Sequence, residues 1–258
     1  MSALAPALHA YEFWLAQYRR VWRGTVISSL LNPVFYLAAL GIGLGTLVDD
    51  GNGGPGGVPY LDFVAPGLVA AAAMQVAATE SSFPVMAAFK WTRQYHAMLA
   101  TPLRVRDVLL GHLTFIATRV VIVSSIYLAA VAAFGGVGSP LGVLAVPVAL
   151  LVGLAFAGPI VTWAASTEAN DWFNPLFRFF IVPMFLFSGT FFPVTELPRL
   201  LEWVAYATPL WHGVDLTRQL TLGDVRAGSA LLHVAYLLAW TVVGAALALR
   251  AYRRRLIK

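Results

Sequence analysis

Long apolar runs bounded by charged residues govern what this chain can fold into. They are read at roughly 25–48, 62–85, 108–134, 141–165, from about Pro175 onward, and 229–249. A helix crossing the hydrocarbon of a bilayer needs about 20 apolar residues, and runs of this length satisfy that requirement. Composition agrees: hydrophobic residues make up 59% of the chain and charged residues 11%, with mean hydropathy +0.76. Soluble domains are less apolar and about twice as charged. The expected class is therefore an all-α membrane protein with six transmembrane helices.

An even number of spans puts both termini on one side, and the basic residues say which. Thirteen of the 17 lysines and arginines fall together if the termini are cytoplasmic. They are Arg19, Arg20 and Arg23, then Lys90, Arg93, Arg104 and Arg106, then Arg178, and the tail residues Arg250, Arg253, Arg254, Arg255 and Lys258. Only Arg199, Arg218 and Arg226 face outward, and Arg119 lies in a span. The positive-inside bias fixes this orientation. The N-terminus has no basic region leading straight into an apolar core, so a cleaved signal is not expected.

Segments 1–24, 25–250 and 251–258 differ in character: an N-terminal cytoplasmic segment, the spanning domain and a basic tail. In the first, Tyr11, Trp14, Leu15, Tyr18 and Trp22 recur at helical spacing before three arginines. That pattern suits an amphipathic helix at the headgroup level. The first span carries Gly41-x-x-x-Gly45, which admits a close neighbour; packing inside the subunit is favoured over a seam between copies. The Gly-rich acidic loop 49–60 reads as a solvated turn, too loose for a calcium site.

Glu80 is a carboxylate inside the second span, where a charge usually faces protein or water. His112 stands at similar expected depth on the third span. Arg119 is the other candidate partner, but about 13 residues, roughly 20 Å, into its helix it would need strong tilt. Structural pairing is favoured over ion coupling. The loop 86–107 places Trp91, Tyr95 and Met98 at i, i+4 and i+7, with Lys90, Arg93 and Gln94 on another face and Thr101-Pro102 as a stop. One helix over 86–101 is expected.

The stretch from Phe179 to Arg218 begins apolar and aromatic, then breaks at Gly189 and Pro193. Two shorter segments follow within 194–222. The first has Leu197, Leu200, Leu201 and Val204 on one face, with Thr195 placed to cap it. The second opens at Thr208-Pro209 and stops near Gly223. Half-length amphipathic helices between full spans read as a re-entrant pair between spans five and six.

The chain lacks the common catalytic signatures. It has no cysteine, which excludes disulfide and thiolate chemistry. It has no Gly-x-x-x-x-Gly-Lys-Ser/Thr phosphate loop, no His-Glu-x-x-His and no Gly-x-Ser-x-Gly elbow. The basic residues border apolar spans, which favours topology and lipid contact over nucleic acid. Two classes remain: a transport permease powered by another chain, and an intramembrane enzyme acting on lipid. A proton-coupled carrier rests on Glu80 alone.

Several separated motifs, in order, resemble the type-2 ABC exporter permeases, above all the nodulation-type lipo-oligosaccharide exporters. They are Tyr60-x-x-Phe63-x-x-Pro66-Gly67, Met98-x-x-Thr101-Pro102, Phe187-Ser188-Gly189-Thr190-Phe191-Phe192-Pro193, Leu197-Pro198 and Pro209-Leu210-x-His212-x-Val214-Asp215-Leu216-x-Arg218. The resemblance implies an inner-membrane permease that is not itself an enzyme and has no cofactor of its own, ATP and magnesium being held by a partner ATPase. It implies a second permease copy or close homologue, with a path between the two. It makes 86–101 a coupling helix, with Lys90, Trp91, Arg93, Gln94, Tyr95, Met98, Thr101 and Pro102 at the ATPase. Phe185, Phe187 and Phe192 become gate candidates, Phe185 and Phe192 sharing a stripe if the helix persists through Gly189, with Trp211 and His212 at the rim. A lipid-linked saccharide is the implied cargo; drug exporters of the same superfamily share much of the pattern. Anionic lipid is the expected partner of the tail.

Overall fold

The computed structural model describes residues 5–52, 54–168 and 172–257. Residues 1–4, 53, 169–171 and Lys258 lie outside it, Lys258 being the end of the expected basic tail. The described residues form helices and turns and contain no strand. In chain order they are α1 (Ala5–Tyr18), α2 (Trp22–Leu37), a wider-wound stretch Ala38–Leu44, α3 (Gly45–Asn52), α4 (Tyr60–Ser81), α5 (Phe83–Lys90) and α6 (Gln94–Leu99). After them come α7 (Val105–Ala133), α8 (Ala145–Ser166), α9 (Phe173–Leu176), α10 (Val182–Phe187), α11 (Arg199–Tyr206), α12 (Pro209–Leu222) and α13 (Ala227–Leu256).

Among the described residues five helical runs are long and apolar enough to cross a membrane: Trp22–Asp50, Tyr60–Lys90, Val105–Ala133, Pro140–Ser166 and Ala227–Leu256. Helices α4 and α8 form the centre, with α7, α12 and α13 packed around them. In the run Tyr60–Lys90, 78% of the most apolar window is buried, against 13% in Trp22–Asp50. The first span therefore stands largely uncovered. Of the Gly41-x-x-x-Gly45 motif, Gly41 makes the expected packing inside the subunit, where a Cβ would lie 2.7 Å from Leu61 Cδ1 of α4, while Gly45 meets only the backbone of its own helix among the described residues.

Where α8 crosses α13 the two backbones touch. A Cβ on Gly158 would lie 2.5 Å from the carbonyl carbon of Gly244, and one on Gly244 would lie 2.7 Å from Pro159 Cδ. Small residues on facing helices permit this approach, and dispersion between the backbones holds it.

The fifth apolar run is shorter than expected. Phe173–Phe187 is a 15-residue apolar helical run, about 22 Å long, interrupted by wider winding at Phe177–Ile181. That is short of a hydrocarbon layer of about 30 Å. Gly189 at φ +79 ends it, since a left-handed residue cannot continue a right-handed helix. Phe192 thus lies beyond the helix, and the shared stripe of Phe185 and Phe192 is not formed. Phe185 instead meets Phe191 edge-on at 5.0 Å and Phe187 meets Phe192 at 6.4 Å.

The segment after the break is also distributed differently from the sequence pattern. Thr195 sits in a tight turn, Val194–Glu196, and α11 starts only after Pro198. Helix α11 is largely exposed, with Leu200 77% and Trp203 73% accessible, whereas α12 is buried in the bundle against α4, α8 and α13. Thr208 does cap α12, accepting from the Trp211 amide, and Gly223 closes it at φ +81.

Helix α1 does not simply rest on headgroups. It packs along the first half of α7, with Ala10 at Gly111 and Trp14 buried. The expected single helix 86–101 is two helices, α5 and α6, separated at 91–93.

Replacing Gly158 or Gly244 by alanine should force α8 and α13 apart and cost about 1–3 kcal/mol. Thermal melting of the detergent-purified protein measures this, and the α4-facing helices should melt together with them.

Candidate functional site

Three of the separated motifs converge on Arg218. Its Nε donates to the Phe63 carbonyl at 3.0 Å and its Nη2 to the Gly189 carbonyl at 2.7 Å. The guanidinium lies 3.8 Å from the Phe63 ring centre. Thr217 donates to the Pro66 carbonyl at 3.1 Å. Gly67 leaves room for Thr190, whose Cα a Cβ there would meet at 3.1 Å. Ser188 and Thr190, both buried, share a hydrogen bond of 3.1 Å. The planar donor fork reaches the Gly189 carbonyl at the break after α10 and the Phe63 carbonyl on α4, tying the two segments together.

Beside this node lies a histidine pair. His212 Nδ1 and His233 Nδ1 are 2.7 Å apart, so one donates to the other, and His233 Nε2 donates to Asp215 Oδ2 at 3.0 Å. Gln219 also donates to Asp215, at 2.6 Å. Tyr236 stacks on His212 at 3.9 Å and Trp211 stands edge-on at 4.9 Å. His212 is buried at 4% accessibility rather than set at a rim. Burial, followed by the neighbouring His233, lowers its pKa to about 4. Burial opposes ionisation of Asp215, yet the hydrogen bonds from His233 and Gln219 prevail and hold its carboxyl below the usual range. His233 was missed in the sequence, although a histidine inside an apolar span is itself a signal.

The expected partners of Glu80 are reversed. Arg119 Nε donates to Glu80 Oε1 at 3.1 Å, and Arg119 also donates to the Tyr18 hydroxyl and lies over its ring. The second helical run continues to Lys90, so Glu80 lies about 15 Å from its end, near the depth of Arg119. His112 pairs elsewhere: Tyr95 bonds its Nδ1 at 2.5 Å, and Trp14 stacks on it at 4.0 Å.

At the basic end, Tyr95 is fully buried. The Tyr252 hydroxyl donates to it at 2.9 Å, and Phe89 meets both rings. This aromatic knot fastens α6 to α1, α5, α7 and α13. Met98 is buried at 8%, whereas Trp91 is 54% exposed on the far side of the break, so the three do not share a face. Lys90, Arg93, Thr101 and Pro102 are exposed and Gln94 is half-buried. Arg93 adopts φ 50, the left-handed region, which costs a side-chain-bearing residue about 1–2 kcal/mol. Arg255 donates to the carbonyls of Ala164, Ala165 and Thr167, closing the end of α8, so it serves the fold rather than lipid alone. Trp14, Phe89 and Tyr252 belong to this knot without any sequence motif to mark them.

Arg218→Lys keeps the charge but loses the fork, and should cost about 2–4 kcal/mol of stability, because a buried carbonyl loses its donor. Melting of purified variants measures it, with Arg226→Lys as the exposed control. The His212 shift sets a pH dependence. Folded His212 stays neutral where the unfolded side chain, near 6.5, takes up a proton. Its contribution is full above pH 6.5 and is lost as pH falls toward 4, by roughly 1–3 kcal/mol. The melting temperature should drop across that window, and His212→Asn should flatten the drop.

The ABC-2 type transporter family model matches residues 9–222. Nodulation protein J of Rhizobium leguminosarum bv. trifolii is 35% identical over 253 residues, covering 95% of this chain and 94% of that protein. Nodulation protein J of Rhizobium meliloti (strain 1021) is 33% identical, with 95% and 94% covered. The protein of the same name from Sinorhizobium fredii is 32% identical, again with 95% and 94% covered. With the match running through the Phe63, Gly189 and Arg218 node, the chain belongs to the ABC-2 type transporter family.

Proposed function

We propose that the chain is the permease subunit of an ATP-driven exporter, acting beside a second copy or close homologue and two ATPase subunits. The reading has six spans: Phe173–Phe187, extended by residues 188–193, serves as the fifth, and α11 with α12 forms an outer re-entrant pair. The positive-inside bias puts both termini in the cytoplasm, in an inner membrane. The uncovered first span and the exposed α10 supply the seam with the second copy, and the Tyr36–Phe185 ring contact at 6.3 Å joins them into one apolar face. Phe185, Phe187 and Phe192 border the path on that side. Likeness to Nodulation protein J over nearly the whole chain favours an amphipathic saccharide-bearing cargo.

The observation that carries coupling is the fastening of α6. Its exposed surface, from Lys90 through Pro102, is open to a partner, while Tyr95 beneath it is hydrogen-bonded to α7 and α13. A push on α6 therefore reaches both of those helices without a flexible link. The paired state of Glu80 with Arg119 disfavours the lipid-modifying and proton-carrier readings, since both need a free carboxylate.

Charge reversal at Lys90 or Arg93→Glu should lower cargo-stimulated ATP hydrolysis about tenfold or more in proteoliposomes with the partner ATPase, with insertion unchanged. About 1.4 kcal/mol of lost coupling corresponds to tenfold. Arg93→Gly separates charge from strain, because glycine accepts φ 50 without cost. Unaltered stimulation in the charge-reversed double variant would show that the ATPase docks elsewhere.

A further inference from the structure

Between the ends of α5, α8 and α13 lies an open cavity of about 1160 Å³. Lys90, Arg93, Arg250, Arg254 and Arg255 line it, with Glu168 as the one acidic residue among the described lining. Two of these cations are engaged. Lys90 donates to the Glu168 carbonyl at 2.8 Å, and Arg255 closes α8 and meets Glu168 at 3.4 Å. Arg93, Arg250 and Arg254 have no hydrogen-bond or ion-pair partner among the described residues. Arg93 belongs to the surface proposed for the ATPase, so Arg250 and Arg254 are the guanidinium groups left to face an anion.

The floor of the cavity is apolar, with Phe89, Leu247 and Ala251. Ser166 and Glu168 also line a neighbouring cleft with Trp163, and Trp163 in turn lines an apolar groove of about 220 Å³ with Phe156, Phe180 and Trp240. On α13, Trp240, Leu247 and Arg254 are seven residues apart and share one stripe. From Arg254 to Trp240 the helix spans about 21 Å, comparable to one leaflet with its headgroup layer. A protein loop would match the charge but has no use for an apolar groove running into the membrane. We infer that the Arg250–Arg254 wall of this cavity and the Trp163–Trp240 groove together form a site for an anionic phospholipid of the cytoplasmic leaflet. This takes the basic end as cytoplasmic, as proposed above. The phosphate sits among the arginines and one chain lies along the tryptophans.

Brominated-chain phosphatidylglycerol and phosphatidylcholine, each diluted into unbrominated phosphatidylcholine nanodiscs holding the full chain, read the site through tryptophan quenching. Phosphatidylglycerol should quench at lower mole fraction, and the excess should vanish in the Trp163→Phe, Trp240→Phe variant. Each of Arg250→Gln and Arg254→Gln should lower the preference about fivefold, the worth of one basic residue near a membrane. Equal quenching by the two lipids in the unaltered protein overturns the inference whatever the variants do. So does loss of the preference in excess inorganic phosphate, which would mark a free-anion site. Loss on adding the partner ATPase would mark a protein-docking groove, and overturns it too. Neither Arg250 nor Arg254 belongs to the proposed α6 surface, so this result stands apart from the coupling test.

Discussion

One half-buried arginine organises one end of this fold. Arg218 donates to carbonyls in two other segments, Phe63 on α4 and Gly189 in the break after α10, and its charge rests on an aromatic face. A guanidinium packed among apolar helices is costly unless its donors find partners. Carbonyls at a helix break face the same difficulty from the acceptor side. Each removes the other's penalty. That is why the glycine break, the Pro66-Gly67 pair and the Thr217-Arg218 pair occur together: each is intelligible only with the others in place.

The end where the basic residues gather has a second organising cluster built on different physics. Around Tyr95 the rings of Trp14, Phe89, His112, Phe115 and Tyr252 are packed with hydroxyl and imidazole groups bonded in series. Aromatic pairs bring large buried area and preferred edge or offset geometry. The polar tips fix which rotamer is used. The short α6 has six residues and would not be stable alone. It holds its shape because Tyr95 is a peg in this cluster, and the left-handed Arg93 is the turn that lets the peg enter.

Much of this was legible in the sequence. The apolar runs, the caps Thr208 and Gly223, and the family motifs all had local signatures. The errors share a cause: each depended on where a helix ends relative to its neighbours. Extending the second run to Lys90 moved Glu80 to the level of Arg119. The left-handed Arg93 split an apparently continuous heptad, so Tyr95 went inward and Trp91 outward. Gly189 was recognised as a break, but the stripe through Phe185 and Phe192 needed the helix to ignore it. His233 and Tyr252 lie inside an apolar run whose periodicity says nothing about which polar group waits opposite.

The two clusters also divide the molecule mechanically. Helices α4, α7, α8, α12 and α13 are tied by the Arg218 node, the glycine crossing of α8 and α13, and the Tyr95 knot. The first span rests on α7 and, at Gly41, on Leu61 of α4, and the segment 173–193 is held at Phe173, Gly189 and Thr190, but both leave large apolar side chains exposed. Relative motion follows the interfaces with least buried area and fewest bonds. On the proposed coupling through α6, a force applied there would enter the tied set, which would move as one body because packed interiors do not deform continuously. The compliance then lies along the first span and the wider-wound Phe177–Ile181, the same face that is left uncovered. An opening there leaves the Tyr95 knot unchanged, while at the other end the Gly189 carbonyl on Arg218 is the point about which the least-covered side would move.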